Sequence, residues 1–95
     1  MDGAFKAIAD PVPRAILDDL SERNDQTLFE LCGRLLTGRG LPLSRQAVSK
    51  HIAVLRDAGL VSVRTVGRTT IHHLDTGALL DVRRWLDTLT KEDRS

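Results

Sequence analysis

The chain has 95 residues and a single cysteine, Cys32, so no internal disulfide is possible. That fits a reducing compartment. No apolar run approaches membrane-spanning length, and no charged-then-apolar signal segment opens the chain. The expectation is a soluble, cytoplasmic protein with no membrane partner. Aromatics are scarce as well: Phe5, Phe29 and Trp85, with no tyrosine. The core must therefore be built from Leu, Ile, Val and Ala. There is no Gly-rich phosphate loop, no recognisable acid–base carboxylate pair and no nucleophile motif. These absences argue against an enzyme and call for no cofactor. No internal repeat, low-complexity stretch or linker divides the chain, so residues 1–95 read as one domain. A domain this small buries a modest fraction of its surface, and a partner subunit would help it.

What is present is unevenly spread. The net charge is only +1. From Arg39 to Thr70, however, Arg39, Arg45, Lys50, Arg56, Arg64 and Arg68 face a single carboxylate, Asp57. That segment carries +5 and the remainder −4. A basic segment on an acidic body suggests a local polyanion-binding face.

The richest stretch runs from Leu43 to Val61. Val48, Ile52 and Leu55 fall at i, i+4 and i+7 and share one helix face. Arg45, Gln46, Ser49 and Lys50 cluster on the first turns of the other side. Arg pairs well with guanine and Gln with adenine, while Ser and Lys reach phosphate or base. Ser44 is a natural N-cap and Gly59 a natural stop. A helix with a polar N-terminal edge of this kind is how helix-turn-helix proteins enter the major groove. A merely solvated face would mix acids with bases, and this one has no carboxylate before Asp57.

The rest of the chain supplies the frame. Phe5, Ile8 and Ala9 suggest a first helix, broken at Asp10-Pro11. Pro11 or Pro13 can open a second, with Ile16, Leu17 and Leu20 inward. Thr27 and Glu30 have capping-box spacing before a third helix, whose expected core residues are Leu28, Leu31, Leu35 and Leu36. Residues 37–42 read as a long turn. After Gly59 the pattern alternates: Leu60, Val61 and Val63 begin one strand, and Thr69 to Leu74 form another. Between them Arg68 rides on the hairpin tip, placed for a minor-groove or phosphate contact. Asp75 is the expected cap of a last helix carrying Leu79, Val82, Leu86 and Leu89 along one side. The fold class is mainly α (α+β): a winged helix-turn-helix of five helices, with the β-hairpin wing between the recognition helix and the last helix.

In this order the motifs resemble the ArsR/SmtB-type winged-helix transcriptional repressors. The matching pieces are Ala9-Asp10-Pro11 with Arg14-Ala15-Ile16-Leu17, Ala47-Val48-Ser49-Lys50-His51-Ile52 with Val54-Leu55-Arg56, Ala58-Gly59-Leu60-Val61, Gly67-Arg68 and Leu74. The resemblance implies a homodimer joined through its first and last helices that represses at a palindromic, double-stranded operator. The expected DNA-binding residues are Ser44, Arg45, Gln46, Ser49, Lys50, His51, Arg64, Arg68 and Thr69. The expected dimer residues are Phe5, Ile8, Leu79, Val82, Trp85, Leu86 and Leu89.

Metal sensing is frequent in that family, but its ligands are not matched here. One family site uses a Cys-x-Cys pair in the third helix, where this chain has Cys32-Gly33-Arg34. A cation in place of a thiolate opposes a soft divalent metal. Another uses His and carboxylates across the last helices, but no His or Cys follows Thr76. His72 and His73 are neighbours on a strand and should point to opposite faces, one half-buried and one exposed. Cys32 reads as a small core hydrophobe, and no second cysteine is present to resolve an oxidised one. No metal is expected, and any effector would be a small molecule or a protein. The competing readings are a metal sensor with an atypical site and a winged-helix module that binds protein. The second would not need Arg45, Lys50 and Arg68 together.

Overall fold

A computed structural model describes residues 2–91. Its elements are α1 (Asp2–Ala9), α2 (Pro11–Glu22), β1 (Gln26–Thr27), α3 (Leu28–Arg39), α4 (Arg45–Asp57), β2 (Val61–Val66), β3 (Thr69–Leu74) and α5 (Gly77–Thr90). The five helices and the hairpin between α4 and α5 match the expected winged arrangement.

Local chemistry sets most boundaries. Asp10 accepts a hydrogen bond from the Val12 amide at 3.0 Å, and Pro11 occupies the first turn of α2, where no donor is needed. Thr27 and Glu30 form the full capping box of α3, each side chain accepting from the other's backbone amide at 3.0 and 3.1 Å. Ser44 Oγ accepts from the Ala47 amide at 3.1 Å and starts α4. That helix ends on Gly59 at φ +75°, with Leu60 N–H donating to the Leu55 carbonyl and Gly59 N–H to the Arg56 carbonyl. This is a Schellman closure. Leu55 and Leu60, the pair it brings together, are both fully buried.

The core is aliphatic, as the shortage of aromatics demands. Ile16 and Leu20 of α2, Leu31 and Leu35 of α3, Val48 and Leu55 of α4, and Leu60 have no exposed surface. Each such side chain contributes about 1.5–3 kcal/mol on leaving water. Ala4 and Ala7 of α1 are also buried, so small side chains let α1 lie close to its neighbours.

Four details depart from the sequence expectations. A two-residue strand, β1, pairs antiparallel with β3, Gln26 opposite His72 and Thr27 opposite Ile71, giving a sheet of order β1-β3-β2. Two residues are too few to show alternation. Next, α3 continues through Thr37, Gly38 and Arg39 instead of turning there, and closes on Gly40 at φ +64°. Arg39 is held by Glu22 at 3.0 Å, which ties the last turn back to α2. Leu36 is half exposed, off the Leu31/Leu35 stripe. Finally, Thr76 rather than Asp75 occupies the N-cap position of α5, while Asp75 Oδ1 accepts from the Gly77 amide at 3.1 Å.

A polar cluster joins α2 to α3 beneath the sheet edge. The buried Asp19 carboxylate accepts from Gln26 Nε2 at 2.8 Å and from Arg34 Nε at 2.9 Å, with Arg39 Nε at 3.6 Å. Burial raises the Asp19 pKa, but the hydrogen bonds from Arg34 and Gln26 and the two guanidinium charges outweigh it and leave the carboxyl below its ordinary value.

Candidate nucleic-acid interface

The inward face of α4 is Val48, Ile52 and Leu55, all buried. That anchoring turns Arg45, Gln46, Ser49 and Lys50 outward, and all four are exposed. His51 is half-buried at the edge between the two faces. Among the described residues, none of the four outward side chains has a hydrogen-bond or ion-pair partner. Ser44 is exposed, its Oγ engaged in the cap.

The wing is the hairpin of β2 and β3, in register from Val61 opposite Leu74 to Val66 opposite Thr69. Gly67 turns its tip at φ +63°, leaving Arg68 and Thr69 exposed. Arg68 has no anionic partner among the described residues.

Arg64 behaves differently. Its Nη1 lies 2.8 Å from Asp25 Oδ1, and His73 Nδ1 lies 3.0 Å from the same oxygen. Asp25 sits in the left-handed region at φ +62°, where Asp and Asn are the best-tolerated non-glycine residues. Next to it, Asn24 Oδ1 accepts from the Leu74 amide at 2.8 Å, so the α2–β1 turn is laced to the base of the wing. The hydrogen bond from Arg64, then that from His73, holds the Asp25 carboxyl below the ordinary carboxylate range. Arg64, expected on the DNA-contacting surface, stays exposed on β2 with its guanidinium paired to Asp25. Arg39, counted with the basic segment, is likewise paired with Glu22 and Asp19. Of the six cations in that segment, Arg45, Lys50, Arg56 and Arg68 have no ion pair among the described residues. Sequence alone had no signal for these pairings, because Asp25 and Arg64 are 39 positions apart.

Arg45 and Ser49 of α4 and Arg68 and Thr69 of the wing line one cleft of about 470 Å³, closed on its third side by the start of α3. No carboxylate of the described residues lines it. Phe29 stands at its α3 side, 79 % exposed. Phe29 is not among the expected site residues; its position one residue off the Leu28/Leu31/Leu35 stripe is the signal the sequence offers.

His72 and His73 do diverge across β3. His72 is buried, with Nδ1 donating to the Gln26 carbonyl at 2.9 Å, and His73 is exposed. Cys32 is half-buried against the core. Burial raises its thiol pKa, and the Arg45 charge offsets this only in part, so the thiol stays protonated at neutral pH. Among the described residues no three His, Cys, Asp or Glu side chains are grouped to hold a metal ion.

Helix α5, which contributes no residue to the cleft between α4 and the wing, buries Val82 alone and leaves Leu80, Trp85, Leu86 and Leu89 40–62 % exposed. Phe5 of α1 meets Trp85 edge-on, with ring centroids 5.4 Å apart. Ile8 and Leu79 are half-buried beside them. Of the expected dimer residues, Val82 therefore packs into the protomer's own core. Leu80, not among them, joins the exposed set. No described helix is long and apolar enough to cross a membrane.

Comparison with known proteins gives this architecture a class. Residues 8–64 match the family model of a helix-turn-helix domain, which covers α2, α3, α4 and the start of the wing. The chain is similar to the HTH-type transcriptional regulator YuzN of Bacillus subtilis strain 168, at 52 % identity over 67 residues, covering 70 % of this chain and 73 % of that one. It is similar to the transcriptional repressor SdpR of the same organism, at 30 % identity over 86 residues, covering 90 % and 88 %. A crystal structure of the ArsR-family transcriptional regulator RHA00566 superposes with a TM-score of 0.80 at 29 % identity, covering 99 % of this chain and 90 % of that one. The chain is a helix-turn-helix transcriptional regulator. It belongs to the ArsR family, a class of regulators and not of enzymes.

Proposed function

We propose that this regulator is a cytoplasmic homodimeric repressor that binds an inverted-repeat operator in double-stranded DNA. One observation carries the reading: the outward face of α4 holds a guanidinium, an amide, a hydroxyl and an ammonium with no partner among the described residues, and Arg68 of the wing, likewise unpaired among them, lies beside it. Unpaired cations beside hydrogen-bonding side chains suit phosphate and base edges. In the proposed complex Arg45, Gln46 and Ser49 read bases, while Lys50 and Arg68 hold the backbone. Ser44, His51 and Thr69 flank them at the backbone. Two such helices, roughly 34 Å apart, would meet successive major grooves. The exposed Leu80, Trp85, Leu86 and Leu89, with Phe5 beside them, support dimerisation through α5 and α1.

Regulation without a bound metal fits the Cys32 neighbourhood best. Arg34 stands where a second thiolate would be needed, and Asp19 holds it in place. A groove of about 270 Å³ lined by Ile8, Leu17 and Leu79 together with Arg14 and Asp18 offers a small effector an entry close to the proposed interface. Titrating Zn²⁺, Ni²⁺ and Cu⁺ into chelator-treated protein on its operator tests the metal half. A stoichiometric metal that shifts DNA affinity by about tenfold or more would overturn it.

The DNA half is tested by selecting bound duplexes from random sequence. Enrichment of an inverted repeat with half-sites one helical turn apart is expected. Recovery of no enriched sequence would favour a winged-helix module that binds protein.

A further inference from the structure

We propose that Phe29 packs against the deoxyribose face of the DNA strand that crosses the cleft between α3, α4 and the wing. The proposal rests on the DNA-binding reading above and adds a contact from outside the reading helix. Phe29 is the most exposed of the large hydrophobic side chains in the described residues. The core does not place it: one position away from Leu28, it is turned about 100° off the buried stripe of α3. Nor does it lie on the apolar face of α5, which contributes nothing to this cleft. Its neighbours across the cleft are Arg45, Ser49, Arg68 and Thr69, with no carboxylate among the lining residues.

Two guanidinium groups and an apolar ring around one cleft match a sugar–phosphate strand, which alternates anionic oxygens with apolar sugar faces. A free anion would use the cations and leave the ring in water. A second copy of this chain would bring its own cations against Arg45 and Arg68. A backbone strand satisfies both parts. Because Phe29 touches sugar rather than base edges, its contribution is independent of sequence. Because it displaces no counterion, it is also independent of salt. These two properties separate it from the base-reading contacts of Arg45, Gln46 and Ser49 and from the cationic contacts of Lys50 and Arg68.

The experiment measures operator affinity against salt for the full chain, using wild type, Phe29→Ala, Phe29→Leu, Arg45→Ala and Arg68→Ala. Phe29→Ala should weaken binding about tenfold, equally on operator and unrelated duplexes, with the salt slope unchanged. Phe29→Leu should recover most of the loss. Arg68→Ala should instead flatten the slope by about one unit. The exposed position leaves the thermal midpoint and the dimer mass of Phe29→Ala unaltered, and loss of the dimer in that variant would overturn the proposal. So would wild-type affinity of Phe29→Ala while Arg45→Ala and Arg68→Ala bind poorly; that outcome leaves DNA binding itself intact. A Phe29 effect that vanishes when thymine is replaced by uracil would move the contact to a base methyl and also overturn it. Unchanged affinity in all of these variants would instead refute the DNA-binding reading.

Discussion

Helices α4 and α5 are nearly the same length, 13 and 14 residues, yet they meet solvent in opposite ways. Val48, Ile52 and Leu55 sink one face of α4 into the core, and its other face is mostly charged or polar, with Val54 the large apolar exception. By contrast, α5 buries one residue, Val82, and exposes four large apolar ones. Their ends differ too. Ser44 caps α4 and a Schellman closure ends it, whereas Thr76 gives α5 no side-chain cap bond. One helix is complete within the protomer and presents hydrogen-bonding groups outward. The other owes little to its own protomer and presents a surface that water solvates poorly. An exposed apolar patch of this kind calls for a protein partner, and an exposed cationic one calls for a polyanion.

Substitutions on the two helices should therefore fail in different ways. The largest effect belongs to the buried face of α4. Leu55→Ala should cost about 2–5 kcal/mol of folding stability through the cavity it leaves, read as a lowered denaturant midpoint. Next comes α5. Replacing both Leu86 and Leu89 with Glu should leave the protomer's secondary structure intact but yield monomers in sedimentation, with operator affinity down about a hundredfold or more. Melting of the protomer by that pair would show that α5 is held by internal packing after all.

A smaller effect concerns the polar tie between α2 and α3. The Asp19 carboxyl is held below its ordinary value, so the unfolded chain binds the extra proton first. Its contribution is present above about pH 4, the unfolded value, and is lost as pH falls through the lower folded value. Asp19→Asn should cost about 1–3 kcal/mol at pH 7 and make the loss of stability below pH 4 shallower than in wild type. Identical acid profiles would remove Asp19 from the picture. The smallest effect is a gain. Asp25→Asn keeps a residue that tolerates the left-handed backbone but releases Arg64 from its carboxylate. DNA affinity should rise about threefold with a steeper salt slope, by the same counterion logic that governs Arg68.

The helices of this fold were legible because their signals are local. Thr27 with Glu30, Ser44, and the Val48/Ile52/Leu55 stripe each lie within a few residues, and all behave as their spacing implies. What escaped was set by distance along the chain. The β1 strand exists only through pairing with β3, 46 residues away at Gln26 and His72. The last turn of α3, which runs through Gly38, is tied back by the Arg39–Glu22 pair. Arg64 looked like a free wing cation until the fold brought Asp25 to it. That Val82 is buried within the protomer while Leu80 is exposed was not legible, because periodicity gives the spacing of a stripe but not which edge turns inward.

The outward face of α4 can be tested most directly by one titration. Wild-type protein and Arg45→Ala are compared on the selected operator and on unrelated duplex at fixed salt. Arg45 is exposed and has no hydrogen-bond or ion-pair partner among the described residues, so the substitution should leave folding unaffected. A loss of about 1–3 kcal/mol on the operator, with relaxed preference at one base position, is the expected result. Unchanged operator affinity for Arg45→Ala would contradict the assignment of this face to DNA.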